Sequence, residues 1–73
     1  MREAGTIRER IYKALVKRYQ AEGEAALVKI DSLLRGEVLP GHEDVMGSID
    51  KQIAKVAFAE EKMATLRRHY GTN

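Results

Sequence analysis

The chain has 73 residues, no cysteine, two histidines and a formal net charge of +2. A chain this short supports a single domain, and the missing cysteines exclude a disulfide scaffold and thiol catalysis. Below about 80 residues a lone core supplies only about 3–5 kcal/mol, so we expect self-association or docking on another protein to complete the fold.

The composition is that of a folded protein, with 44% hydrophobic and 33% charged residues. The start of the chain is charged and lacks the apolar run of a signal peptide, and no later run reaches membrane-spanning length. We therefore expect a soluble, cytoplasmic protein that does not associate with membranes.

Turn-forming residues cluster once, between Gly36 and Ser48, where three glycines and the sole proline occur. This cluster divides a single domain, residues 1–73, into two arms. We predict a helix over residues 6–35, a linker over residues 36–43 and a second helix over residues 44–70.

The first arm opens with Thr6 and Glu9, the Thr-x-x-Glu spacing of a capping box, and Gly36 lies just past its end. Apolar residues recur about every fourth position along it. We expect one stripe to face the second helix: Ile7, Ile11, Leu15, Tyr19, Leu27, Ile30 and Leu34, with Ala26 and Leu33 beside them.

A stripe with a step of four residues drifts around the helix, because each step advances about 400°, which is about 40° more than a full turn. Gly23 lies where the stripe crosses from Tyr19 to Leu27. A mid-helix glycine costs about 1 kcal/mol relative to alanine. We therefore expect a bend or weak point near residues 20–25.

The second arm carries a heptad-like seam. Its apolar members are Ile49, Val56, Met63 and Tyr70, seven residues apart, and Val45, Ala59 and Leu66, with Gln52 the polar exception. Acidic residues in the first turn (Glu43, Asp44) and basic residues in the last (Lys62, Arg67, Arg68, His69) suit the helix dipole, and Gly71 ends the helix. Start signals occur both near His42 and after Gly47-Ser48.

Two helices of about 42 Å each predict an all-α fold, an antiparallel two-helix hairpin. Five apolar residues lie off the predicted stripes: Tyr12, Val16, Val28, Ile53 and Phe58. Pairing of two hairpins into a four-helix bundle would cover some of them, at about 25 cal/mol per Å² of apolar area. We therefore expect a homodimer.

No pattern of residues points to catalysis or a cofactor. His42, Glu43 and Asp44 carry suitable metal-binding atoms, but consecutive residues on one turn rarely converge on one ion, and neither helix has a Glu-x-x-His pair. His69 reads as an exposed helix end. No nucleophile elbow or phosphate-binding glycine loop occurs. We expect neither an enzyme, nor a metal site, nor a bound cofactor.

An antiparallel hairpin gathers nine of the 13 basic residues and four of the 11 acidic ones at the end where the first helix starts and the second finishes, a net +5. The linker end then carries −3. This basic pole, with tyrosines nearby, suits phosphates or bases. The candidate nucleic-acid contacts are Arg8, Lys13, Lys17, Arg67 and Arg68. The alternative is a solvated surface, since pairs such as Glu9 with Lys13 support helices in the ordinary way.

The linker combines apolar residues, a tight turn and acids. Val38 and Leu39 either cap the open end of the hairpin core or form a recognition loop.

The linker and following helix resemble small uncharacterised two-helix proteins of T-even-type tailed phages. The matching residues are Val38, Gly41, His42, Asp44, Val45 and the segment from Ile49-Asp50 to Ala59-Glu60-Glu61-Lys62. The match fails at Leu39-Pro40 and does not reach the first helix. The resemblance implies a viral origin, with the host cytoplasm as location, rather than a mechanism.

We interpret the chain as a small helical protein–protein interaction module: an adaptor, an inhibitor or an assembly component. The candidate docking residues for an unidentified protein are Val16, Val28, Ile53 and Phe58, if dimerisation leaves them exposed. Two alternatives stay open, a nucleic-acid-binding hairpin that uses its basic pole and a minor virion structural component.

Overall fold

The computed structural model describes residues 5–36 and 44–71. Within these ranges there are two helices, α1 (Ile7–Leu34) and α2 (Val45–Tyr70), and no strand. They pack against each other along their length, which confirms the predicted all-α hairpin. The linker predictions for Val38 and Leu39 lie outside the described residues.

Both ends of α1 follow from local chemistry. The Thr6 hydroxyl accepts a hydrogen bond from the Glu9 N–H, and the Glu9 carboxylate accepts one from the Thr6 N–H, both at 3.2 Å. The predicted capping box is therefore confirmed. At the other end Gly36 has a φ of +79°, and its N–H donates to the Leu33 carbonyl at 3.1 Å. Glycine adopts this left-handed conformation without the strain that a side chain would add.

The start of α2 lies between the two places that the sequence suggested. Asp44 caps the helix, because its carboxylate accepts a hydrogen bond from the Gly47 N–H at 2.9 Å. Asp44 is thus the cap and not a first-turn residue, and Glu43 lies outside the described ranges. The basic residues of the last turn are Arg67, Arg68 and His69. Lys62, predicted to join them, lies earlier in the helix.

The helices run antiparallel, with α1 and α2 in a fixed register. Gly23 faces Ala59, and the neighbouring Glu22 accepts a hydrogen bond from Lys62 at 3.1 Å. Moving toward the start of α1 means moving toward the end of α2, where the Tyr12 hydroxyl lies beside Gly71. The start of α1 and the end of α2 therefore lie together.

Seven positions on each helix form the seam between them, with steps that alternate between four and three residues. All of these residues are buried or half-buried. On α2 they confirm the predicted heptad pattern, except that Tyr70 is exposed. The members are Tyr12, Val16, Tyr19, Gly23, Ala26, Ile30 and Leu33 on α1, and Val45, Ile49, Gln52, Val56, Ala59, Met63 and Leu66 on α2.

The predicted stripe on α1 is wrong in part. Ile7, Ile11, Leu27 and Leu34 are exposed, whereas Tyr12 and Val16, which we placed off the stripe, line the seam. The physical reason is the partner helix, since only a seven-residue repeat keeps one face of α1 against α2 over its whole length.

The helix α1 continues through Gly23 without interruption, and the bend or weak point near residues 20–25 stays a prediction. Gly23 lies in the seam and faces Ala59. Among the described residues only Ala26 and Ala59 are fully buried, with exposed fractions of 2% and 1%. The radius of gyration is 16.6 Å, against about 11 Å for a globular domain of this length. The hairpin alone thus has a thin core.

Candidate interaction surfaces

The polar contacts between the helices centre on Lys62 of α2. Its ammonium lies 3.1 Å from the Glu22 carboxylate and 4.8 Å from the centre of the Tyr19 ring, on α1. Arg18 holds the same carboxylate at 3.4 Å. The pKa of Glu22 is lowered, chiefly by the hydrogen bond from Lys62. The positive charge of Lys62 and the hydrogen bond and charge of Arg18 lower this pKa further, whereas partial desolvation raises it. These contacts form one cluster on a single side of the hairpin, made of Arg18, Tyr19, Glu22 and Lys62.

An open groove of about 300 Å³ lies on that side, and we call it the lysine groove. Lys29 of α1 and Lys55 of α2 line it, and neither forms an ion pair with a described residue. Phe58 stands at the edge with 70% of its surface exposed. The remaining lining residues are Glu22, Ala25, Ala26, Gln52 and Lys62. The groove thus combines unpaired cations with an exposed aromatic ring.

Gln52 of the seam also reaches the lysine groove. Its side-chain oxygen is buried and accepts no hydrogen bond from the described residues. The register that pairs Gly23 with Ala59 places Gln52 across from Ile30, seven residues later on α1 and seven residues earlier on α2. A buried amide oxygen without a hydrogen bond costs stability.

A second and larger groove, of about 980 Å³, opens where α1 begins and α2 ends. Arg8 lies 6.0 Å from the centre of the Tyr70 ring, and His69 lies 6.3 Å from the same ring, centre to centre. Tyr12 and Lys13 also line the groove. Cationic and aromatic side chains therefore share one surface at the basic pole.

The structure separates the candidate nucleic-acid contacts. Arg8 and Lys13 line the groove at the basic pole, but Lys17, Arg67 and Arg68 do not. All five are exposed. The guanidinium of Arg68 donates to the Thr65 hydroxyl at 3.4 Å, within its own helix. The basic residues thus surround the end of the hairpin rather than converge on one point.

The candidate docking residues also fall in different places. Val16 is half-buried in the seam between α1 and α2, so its side chain contributes to the hairpin and not to a free surface. Val28, Ile53 and Phe58 are exposed over 58%, 51% and 70% of their surfaces. Phe58 lines the lysine groove, whereas Val28 and Ile53 line neither this groove nor the one at the basic pole.

Lys29 and Lys55 are the surface residues that the sequence analysis missed. Each lies seven residues from a member of the Glu22–Lys62 pair, on the same side of its helix. Knowledge of which α1 residues form the seam would have revealed that these lysines lie on one side of the hairpin. In an antiparallel pair, the residues that directly precede seam positions on the two helices face each other.

Within residues 5–36 and 44–71, no three His, Asp or Glu side chains are grouped so that they could hold a metal ion. His42 and Glu43, considered as ligands, lie outside these ranges. Neither of the two helices is long and apolar enough to cross a membrane.

Comparison with known proteins adds no relative: no family model, curated protein or solved structure matches the chain. The resemblance to two-helix phage proteins, and the viral origin that it implies, therefore stay predictions.

Proposed function

We propose that the protein is a small helical protein–protein interaction module, acting as an adaptor, an inhibitor or an assembly component without catalytic activity. The observation that carries the proposal is Phe58, exposed over 70% of its surface beside the lysine groove. Aromatic side chains that anchor interfaces typically insert into the partner and are ringed by polar contacts.

The charges of the lysine groove define the chemistry of the partner. Lys29 and Lys55 face the same groove without an ion pair to a described residue. A partner that brings carboxylates between them would relieve their mutual repulsion, and an apolar side chain of the same partner would cover Phe58. The fitting partner is an acidic amphipathic helix.

A titration with defined peptides tests this proposal. Isotope-labelled protein is titrated with a glutamate-rich amphipathic helical peptide, and amide shifts are followed by NMR. We expect shifts at Lys29, Lys55 and Phe58, and none with a lysine-rich peptide that has the same apolar pattern. Shifts spread over the surface, or none with the acidic peptide, would refute the groove as a docking site.

Two variants separate docking from folding. Phe58→Asp should abolish binding of the acidic peptide while circular dichroism keeps its helical signal. Ile53→Asp is the matched control, because Ile53 is exposed at 51% but does not line the lysine groove. It should bind like the parent chain. Loss of helical signal in Phe58→Asp would instead assign Phe58 to the core.

The basic pole supports nucleic-acid binding as a second candidate function. Arg8 and Lys13 share a groove with the exposed Tyr70, so cations for phosphates lie beside a ring on which a base can stack. Fluorescence anisotropy with labelled RNA and duplex DNA tests it at low and physiological salt. Binding with a steep salt dependence, flattened by Arg8→Gln with Lys13→Gln, is expected. No binding at low salt would dismiss this function.

A further inference from the structure

A second heptad seam runs along the exposed face of α1, and we call it the outer seam. Two of its members, Ala25 and Ile11, also line the edges of the two grooves. Its members again alternate between steps of four and three residues. Every member is exposed except Ser32, which is half-exposed, and Ile7, Ile11 and Val28 are exposed over more than half of their surfaces. The members are Ile7, Ile11, Ala14, Arg18, Ala21, Ala25, Val28 and Ser32.

The outer seam has the pattern of a helix that packs against two neighbours. Every second member directly precedes a residue of the seam with α2, as Ile11 precedes Tyr12, and the others lie further from it. The two seams therefore face directions about 150° apart around the helix. A seven-residue apolar repeat fits a straight partner helix in the manner of a coiled coil. Among the described residues, α2 is the partner helix for one side of α1. The outer seam, on the other side, has no partner helix among them.

We propose that the outer seam binds the outer seam of a second copy of this chain, antiparallel. The evidence for this partner is a row of charges beside the outer seam, seven residues apart: Arg10, Lys17, Glu24 and Asp31. The row reads basic, basic, acidic, acidic. An antiparallel two-fold pair therefore sets Arg10 against the partner's Asp31 and Lys17 against the partner's Glu24, twice over.

The same register matches side-chain size across the outer seam. Ile11 meets the partner's Val28, and Ala14 meets the partner's Ala25. The alanines on both sides of the two-fold axis leave room for Arg18, whose guanidinium contacts Glu22, while the larger apolar residues fill the ends. The inference deepens the proposed interaction function by naming one partner, a second copy, and one of the predicted docking residues, Val28, lies within this surface.

Arg18 decides between antiparallel and parallel pairing. In a parallel pair it would meet the partner's Arg18 across the outer seam, two like charges at close range. The antiparallel pair sets it against the partner's Ala21 and leaves its guanidinium on Glu22, which it contacts at 3.4 Å. The result is a row of four helices with α1 of both copies in the middle, a specific form of the four-helix dimer expected from the sequence.

Analytical ultracentrifugation of the full chain tests the proposal. The parent chain should reach the mass of a dimer as concentration rises. Ala14→Glu should be monomeric with unchanged helical signal, because Ala14 is exposed in the single hairpin and would set a carboxylate against the partner's Ala25 in the dimer. Ala64→Glu, at an exposed position of α2, is the matched control and should dimerise like the parent chain. A parent chain that stays monomeric, or a dimeric Ala14→Glu, would overturn the proposal.

A charge exchange tests the antiparallel register. Lys17→Glu or Glu24→Lys alone sets two like-charge pairs in the dimer and should weaken it about tenfold. The double variant restores opposite charges in the antiparallel pair and should regain the parent affinity. In a parallel pair Lys17 would instead face the partner's Glu22, so a double variant that stays weak would refute the antiparallel arrangement.

Arg18→Ala should change the affinity of the dimer in the opposite direction. It removes the only charge from the outer seam and should tighten the dimer several-fold, whereas a weaker dimer would show that Arg18 supports the contact. Ala14 does not line the lysine groove. Ala14→Glu should therefore bind the acidic peptide like the parent chain, and Phe58→Asp should keep the dimer, so either proposal can fail without the other.

Discussion

Gly23 of α1 faces Ala59 of α2 so closely that a Cβ on the glycine would lie 3.5 Å from the Ala59 Cβ. Two small residues thus mark a close approach of the helices, one turn from the buried Ala26. The distance is that of ordinary van der Waals contact, so this position has room for one methyl group and no more.

We therefore expect Gly23→Ala to stabilise the protein. Alanine is about 1 kcal/mol better than glycine inside a helix, and its methyl group would add contact with Ala59. The free energy of unfolding, measured by urea denaturation at one protein concentration, should rise by about 0.5–1 kcal/mol. A decrease would show that the seam has no room for the methyl group.

Two further variants separate helix propensity from packing. Ala64→Gly, at an exposed position of α2, reports propensity alone and should cost about 1 kcal/mol. Gly23→Leu must place atoms beyond Cβ where Ala59 lies, so the helices have to separate. It should lower the free energy of unfolding by about 1–3 kcal/mol.

Replacing Gln52 with leucine should also stabilise the hairpin. Its buried side-chain oxygen accepts no hydrogen bond from a described residue, and leucine removes that penalty while filling the seam opposite Ile30. We expect a gain of about 1–2 kcal/mol by thermal or urea unfolding. Gln20→Leu, an exposed glutamine of α1, is the control and should change stability little. A loss in Gln52→Leu would mean that Gln52 has a polar partner in solution.

The ion pair between Glu22 and Lys62 predicts a pH dependence of stability. The pKa of Glu22 is lowered in the folded state, from an ordinary value of 4.5. Its contribution is therefore complete above about pH 4.5 and is lost as the pH falls through the lower folded value. The melting temperature of Glu22→Gln should fall less on acidification than that of the parent chain.

The control for this pH dependence is Glu61→Gln, because Glu61 is exposed and forms no ion pair with a described residue. Its acid profile should follow the parent chain. If Glu22→Gln and the parent chain lose stability in parallel down to pH 3, the contact with Lys62 does not persist in solution.

The capping box at the start of α1 should be measurable through Thr6. Thr6→Ala leaves the Glu9 N–H without its hydrogen bond at 3.2 Å and should cost about 1 kcal/mol. Thr65→Ala, inside α2, should be neutral or slightly stabilising, because alanine favours the helix interior. Equal effects of the two variants, measured by urea unfolding, would argue against the cap.

Local signals made the helices predictable. The Thr6–Glu9 spacing, the position of Gly36 and the heptads of α2 depend on residues within a few turns of one another. The basic pole was predictable for the same reason once the arms were taken as antiparallel. The start of α2 was ambiguous because several residues can cap a helix, and the folded chain uses Asp44.

Caps, turns and apolar periodicity are local properties of the chain, and they suffice to predict two long helices with little to bury between them. Which of two apolar faces of α1 meets α2 depends instead on contacts between the folded helices. Val16 and Leu27 are both apolar, yet Val16 enters the seam and Leu27 stays exposed. The choice depends on α2, because Gly23 must face Ala59 and Glu22 must reach Lys62 at the same time. No property of α1 alone contains that requirement.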